Sequence, residues 1–125
     1  MRIINFEMET RPYFILTNEM LNFSKIDYDE ESVIIPFANK AFSDNAFQPI
    51  IDIIQQRVRD FYFEENFENG IASGDYSLII WKNDDNSCTY KVQFVTDDGC
   101  DMYLQIGLNS DELKLIQPVK DKAFK

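Results

Sequence analysis

Paired carboxylates are the side chains of this sequence best suited to chemistry, because two Asp or Glu together can catalyse proton transfer or bind a hard cation. The candidates for such chemistry are two segments with adjacent Asp residues, 83–86 (NDDN) and 97–101 (DDGCD). Neither has the spacing of a calcium-binding loop with its distal Glu. Asp and Asn are also common in tight turns. We therefore interpret both segments as turns and expect no bound metal and no other cofactor.

Nucleophilic catalysis is also poorly supported, because the chain contains no His and only two Cys. Without an imidazole there is no Ser-His-Asp or Cys-His system, no His-ligated metal and no imidazole pH switch. A catalytic Cys requires a setting that lowers the thiol pKa, whereas Cys100 stands among carboxylates that raise it. No glycine-rich phosphate-binding motif occurs. The sequence thus predicts a protein that is not an enzyme.

One helix and a series of strands are expected to position these residues. Apolar residues at three- and four-residue steps predict the main helix over residues 46–63, after possible capping side chains at 43–45. A two-residue period, or an apolar run of strand length, predicts strands at 77–81, 88–94, 100–108 and 113–119. Additional N-terminal strands are expected at residues 3–8, 13–17 and 32–37, with an acidic loop at 25–31. The basic end of the chain, residues 120–125, is expected to fray.

These elements predict an α+β fold in which an antiparallel β-meander sheet packs against one main α-helix, with additional N-terminal strands. At 125 residues the chain is the size of one domain, so residues 1–125 are treated as a single domain. A three-residue loop at 97–99 opposes Thr96 to Cys100 and turns the even-numbered residues of both arms toward the core. By the same alternation, Trp81 and Tyr103 are expected to face outward.

The net charge of the chain disfavours some classes of binding partner. Twenty-two Asp and Glu against twelve Lys and Arg leave a charge of −10, which repels phosphate and anionic lipid. We therefore expect no direct binding to nucleic acid or to a membrane. The N-terminus has no signal-peptide pattern, and no apolar run is long enough to span a bilayer. Cys88 and Cys100 would be about 27 Å apart in the predicted hairpin, too far for a disulfide, so a reducing cytoplasmic location is expected.

Acidic residues are expected to gather at one end of the sheet, because alternate turns of a meander share an end. Glu64 and Glu65 also fall near the C-terminus of the predicted helix, where the helix dipole disfavours anions. Such local costs are expected at functional surfaces. The predicted partner-binding surface, called here the predicted rim, comprises Glu64, Glu65, Phe67, Glu68, Asp75, Asp97, Asp98 and Asp101.

In size, acidity and lack of catalytic groups the chain resembles bacterial immunity proteins. These include the cognate inhibitors of contact-dependent growth inhibition toxins and of related polymorphic or colicin-type nucleases. The resemblance lies in the acidic stretches 27–31, 64–68 and 97–101 and covers the whole chain only in this general sense. It implies a cytoplasmic inhibitor that binds and neutralises a basic cognate toxin, a nuclease, as the monomeric partner in a 1:1 heterodimer.

Two other classes of function are compatible with the same composition. A phage-type inhibitor that mimics nucleic acid, or another acidic adaptor, would use the same charge but would space its carboxylates like phosphates along a surface. A small carboxylate-based enzyme or ligand-binding domain would instead need a concave pocket with convergent polar groups.

Overall fold

The computed structural model describes residues 5–7, 16–42, 48, 52–53, 56, 67–68, 71–72, 74–96 and 101–124. Within these ranges the chain forms eight strands, one long helix and three short 3₁₀ helices. The strands are β1 (Asn5–Glu7), β2 (Asp27–Tyr28), β3 (Ser32–Pro36), β4 (Phe67–Glu68), β5 (Ile71–Ala72), β6 (Gly74–Lys82), β7 (Cys88–Thr96) and β8 (Asp101–Ile106). The long helix, α1, spans Ser110–Ala123, and the 3₁₀ helices span Asn18–Met20, Phe23–Lys25 and Asn39–Phe42.

Six of the strands form one sheet in the order β1-β8-β7-β6-β3-β2. Strands β6, β7 and β8 are an antiparallel meander, and β3 and β2 extend it in antiparallel fashion on the β6 side. On the other side β1 pairs with β8 in parallel. Strands β4 and β5 form a separate two-stranded ladder. This is the predicted α+β fold, with an antiparallel meander, one main helix and added N-terminal strands.

The register of the meander confirms the alternation predicted for its two long arms. Tyr90 pairs with Ile106 and Phe94 pairs with Met102. The described register ends at Val95 opposite Asp101, and the predicted pairing of Thr96 with Cys100 and the loop at 97–99 lie outside the described residues. Phe94 and Met102 are almost fully buried, so the even-numbered residues face the core.

The core lies between this inner face of the sheet and α1. Ile116 and Val119 of the helix are buried against apolar side chains of four strands. Ile53 packs against the same core, and it belongs to a helical segment of which Gln48, Asp52, Ile53 and Gln56 are described. These four positions agree with the helix predicted over 46–63, and the rest of that range lies outside the described residues. The buried strand residues are Val33, Ile35, Tyr76, Leu78, Ile80, Val92, Phe94, Met102, Leu104 and Ile106.

The strand predicted at residues 113–119 is wrong, because that segment lies inside α1. A capping box starts the helix: the Asn109 side chain accepts from the backbone N–H of Glu112, and the Glu112 side chain accepts from that of Asn109. Pro118 lies inside the helix, where proline costs about 3 kcal/mol or more because it has no N–H to donate. Burial of Ile116 and Val119 on either side of Pro118 offsets that cost.

Other short predictions have mixed outcomes. Strand β1 confirms part of the strand predicted at 3–8, and β3 confirms the one predicted at 32–37. Leu16 and Thr17, the described part of the predicted strand 13–17, are not in a strand. The acidic loop predicted at 25–31 contains strand β2, so only residues 29–31 turn. The end of the chain predicted to fray is helical as far as Ala123.

Candidate partner-binding surface

The predicted rim is partly within the described residues. Asp75 and Asp101 both pair with Val95 of β7, one from each side, so they lie in one row on the outer face, about 10 Å apart. Asp75 is exposed and Asp101 half-buried. Phe67 and Glu68 form β4 and pair with Ala72 and Ile71 of β5. The other four rim residues, Glu64, Glu65, Asp97 and Asp98, lie outside the described ranges.

A second acidic surface lies at the opposite end of the sheet, where the β2–β3 and β6–β7 turns sit side by side. The backbone N–H of Lys82 donates to the carbonyl of Glu31 at 2.8 Å, which joins the two turns directly. Their five carboxylate side chains are all exposed. We call this group the tip cluster, and its members are Asp29, Glu30, Glu31, Asp84 and Asp85.

Two members of the tip cluster also build the turns that carry them. Asp85 Oδ1 accepts from the backbone N–H of Ser87 at 3.0 Å and from its hydroxyl at 2.5 Å. These hydrogen bonds hold the pKa of Asp85 below its usual range. Asp29 Oδ1 accepts from the backbone N–H of Glu30 at 2.8 Å. In contrast, the carboxylates of Glu30, Glu31 and Asp84 make no hydrogen bond or ion pair within the described part of the chain.

Exposed aromatic side chains flank the tip cluster. Trp81 is 42% exposed and Tyr28 is 39% exposed, the highest values among the large hydrophobic residues that the structure describes. Trp81 lies on the outer face at the end of β6, in one row with Ser32 and Thr89, as its predicted outward position requires. Tyr28 directly precedes Asp29, and its ring lies 4.9 Å from the Lys122 ammonium. Tyr28 pairs with core-facing Val33, so it lies on the helix side of the sheet, and the two rings border the tip cluster from opposite faces.

Tyr103, the other aromatic residue predicted to face outward, is less available for binding. It is half-buried on the outer face, and its hydroxyl accepts from the Gln93 side-chain amide at 3.2 Å. The Lys91 ammonium lies 5.5 Å from the centre of its ring. Because its hydroxyl and its ring already have intramolecular contacts, we assign Tyr103 to the structure of the outer face.

A groove of about 410 Å³ opens behind the tip cluster, between the β6–β7 hairpin and the C-terminal half of α1. The Lys120 ammonium donates to the Tyr90 hydroxyl at 2.8 Å beside this groove. Burial opposes the charged form of Lys120, but the hydrogen bond to Tyr90 and the electrostatic effects of Tyr90, Cys88 and Asp121 together outweigh it and raise the pKa. The groove is lined by Lys82, Asn86, Ser87, Cys88, Gln117, Lys120, Asp121 and Phe124.

Glu112, in the first turn of α1, is a buried carboxylate and not a surface group. Glu112 is only 3% exposed, and besides capping α1 its Oε2 accepts from the backbone N–H of Leu16 at 3.2 Å. The side chain therefore ties the N-terminal segment to the start of the helix. An Asn followed three residues later by Glu is the sequence pattern of a capping box, and this signal would have identified the start of the helix and the capping role of Glu112, though not its bond to Leu16.

Three further observations bear on function. In the part of the chain that the structure describes, no helix has the length and apolar character needed to cross a membrane. Within the same residues, no group of three Cys, Asp or Glu side chains is arranged to hold a metal ion. No family model, curated protein or solved structure matches the chain.

Proposed function

We propose that this protein is a cytoplasmic immunity-type inhibitor that binds a basic cognate toxin, a nuclease, and neutralises it without catalysis. The observation that carries the proposal is the tip cluster, in which five exposed carboxylates lie between the exposed ring of Trp81 on the outer face and that of Tyr28 on the helix side. This combination suits a surface that attracts a cationic protein from a distance and then holds it by aromatic contacts.

Electrostatic attraction would bring a cationic toxin to this surface. A nuclease must present a cationic substrate cleft, and the tip cluster holds five of the 22 Asp and Glu of a chain whose net charge is −10. Complementary charge raises association rates from about 10⁵–10⁶ to as much as 10⁸–10⁹ M⁻¹s⁻¹ at low salt. Since Glu30, Glu31 and Asp84 have no intramolecular partner among the described residues, they can pair with Lys or Arg without first breaking a contact.

Aromatic contacts would then hold the toxin on this surface. Trp and Tyr are enriched among the residues that dominate binding energy, where truncation to Ala costs about 2 kcal/mol or more. Trp81 projects from a strand that is paired on both sides, so its position is held by the sheet. An Arg of the toxin placed over this ring would gain a cation–π contact and reach the carboxylates of the adjacent turns.

The predicted rim remains a second proposed surface at the other end of the sheet. Two of its described members, Asp75 and Asp101, are acidic residues whose Cα atoms lie about 10 Å apart. We favour the tip cluster because, among the residues whose exposure the structure describes, it combines more exposed carboxylates with exposed aromatic rings. The two surfaces are far enough apart for mutations in one to leave the other unchanged.

The experiment is co-expression with the protein encoded by the adjacent gene, followed by measurement of binding to the purified pair. We expect this chain to rescue growth and to form a 1:1 complex. Reversal of Glu30, Glu31 and Asp84 to Lys should weaken the complex at least 100-fold, about 2.7 kcal/mol. The matched control is reversal of Asp75 and Asp101.

Each result has a distinct meaning. If only the control variant loses binding, the toxin binds the predicted rim, and the proposal that it binds the tip cluster is wrong. Failure to rescue growth and to bind any basic protein at low salt contradicts the inhibitor proposal itself. Capture of many unrelated DNA-binding proteins, with displacement by duplex DNA, identifies a nucleic-acid mimic instead.

A further inference from the structure

The groove beside α1 differs chemically from the acidic surface around it. Its volume of about 410 Å³ lies within the roughly 300–1,000 Å³ typical of small-molecule sites. Two ammonium groups line it, Lys82 from the end of β6 and Lys120 from α1. Two Lys and one Asp, Asp121, give this lining a net charge of +1, in a chain whose net charge is −10.

The two lysines differ in how they are held. Lys120 is positioned by its hydrogen bond to the Tyr90 hydroxyl, and its ammonium lies 5.4 Å from the centre of the Tyr90 ring. Lys82 lies opposite Cys88 in the register of the hairpin, on the side of the sheet that faces α1. Within the described residues, the Lys82 ammonium contacts no carboxylate and no hydrogen-bond acceptor. Lys82 is therefore the cation with free capacity to bind.

The remaining walls complete a site for an organic anion. The groove also contains one carboxylate, Asp121, whose Oδ1 accepts from the Gln117 side-chain amide at 2.6 Å and whose charge offsets that of one lysine. The side chain of Asn86 supplies a further amide from the hairpin turn. Phe124, at the end of α1, contributes an apolar wall. Cationic, amide and apolar groups thus converge on one space, as in ligand pockets generally.

We infer that this groove binds a small organic anion, with a phosphate or carboxylate group between Lys82 and Lys120 and an apolar body against Phe124. The inference does not depend on the proposed function, since the groove lies on the helix side of the sheet and its cations would not attract a basic toxin. Phosphate and carboxylate share the same recognition by ammonium groups, and the choice of probes separates them.

The test is a titration of the ¹⁵N-labelled protein with phenyl phosphate and with benzoate, in 0.15 M NaCl so that the net charge is screened. Phenol serves as the neutral probe, and inorganic phosphate as the anion without an apolar body. We expect saturable amide shifts confined to residues 82–88 and 117–124, caused by at least one of the two aromatic anions and not by phenol. The preferred anion identifies the headgroup.

Two lysine variants make the result specific. Lys82→Gln removes the unpartnered cation and should weaken binding about ten-fold, the effect of one charge-assisted hydrogen bond. Lys114→Gln removes an exposed cation of α1 that does not line the groove, and it should leave binding unchanged. The inference is overturned by an absence of saturable shifts, by equal shifts with phenol, or by equal weakening in both variants.

Discussion

Replacement of Glu112 by Gln tests whether this buried carboxylate holds the N-terminal segment against α1. The two carboxylate oxygens accept from different donors: Oε1 from the backbone N–H of Asn109 at 2.9 Å and Oε2 from that of Leu16 at 3.2 Å. Gln has nearly the same shape but only one acceptor oxygen. Its amide nitrogen would face the second N–H as another donor. One of the two hydrogen bonds is therefore lost whichever way the amide turns.

The expected cost follows from leaving one buried donor without an acceptor. An unsatisfied buried group costs about 1–3 kcal/mol, and a bond to a charged acceptor contributes about 1.5–3 kcal/mol. We therefore expect Glu112→Gln to lower the free energy of unfolding by about 2 kcal/mol. Glu112→Ala removes both acceptors and should cost about 3–5 kcal/mol, a large share of the roughly 5–15 kcal/mol of a typical domain.

Urea denaturation measures this effect directly, because Trp81 is the only Trp of the chain and reports on the sheet by fluorescence. Circular dichroism follows the helix in the same samples. The matched control is Asp111→Asn, which removes an exposed carboxylate from the same helical turn and should cost only about 0.3–1 kcal/mol. Amide hydrogen exchange at Leu16 and Asn109 shows which donor has lost its acceptor.

Either of two results would show that the Glu112 carboxylate does not stabilise the fold through these two hydrogen bonds. One is a Glu112→Gln variant no less stable than Asp111→Asn, which would mean that the buried carboxylate contributes no more than a surface charge. The other is loss of stability with unchanged exchange at both amides, since the cost would then arise elsewhere than in the two hydrogen bonds.

Three further predictions concern the helix and the turns. Pro118→Ala restores a backbone donor inside α1 and should raise stability by about 1–3 kcal/mol in urea denaturation; no change would show that the helix has already adapted to the proline. The carboxylate of Asp85 should titrate below its usual range by NMR, so its stabilising contribution is present at neutral pH and is lost as the pH falls through its lowered pKa. A normal Asp85 pKa would contradict its role in the turn. Tyr90→Phe removes the acceptor of the Lys120 ammonium and should lower the pKa of Lys120, which a lysine NMR titration measures.

The alternation of apolar and polar residues along the chain predicted the β-meander correctly. Residues 88–94 and 101–106 alternate between core and surface, so the period of two and the register follow from which side chains must be buried. The outward position of Trp81 followed from the same alternation. The strand prediction for residues 113–119 was wrong because the spacing of their apolar residues is compatible with both a strand and a helix. Over so short a segment the two periods cannot be distinguished.

The tip cluster could not be placed by pattern alone. The acidic residues at 29–31 and at 84–85 are visible in the sequence, but more than fifty positions separate them. They meet because β3 pairs with β6, with Ser32 opposite Trp81, and no local signal specifies that pairing. The groove has the same origin, since it forms only where α1 packs beside the β6–β7 hairpin.

The sequence by itself determined the charge, the lack of imidazole chemistry, the alternating strands and the capping signal of α1, because each depends on residues close together in the chain. The tertiary structure decided which carboxylates share a surface, that Glu112 is buried, and that two lysines face one groove. These depend on strand order and on helix packing, in which contacts between distant segments compete for the same apolar surface. Local patterns specify the elements, and burial of the shared core selects their arrangement.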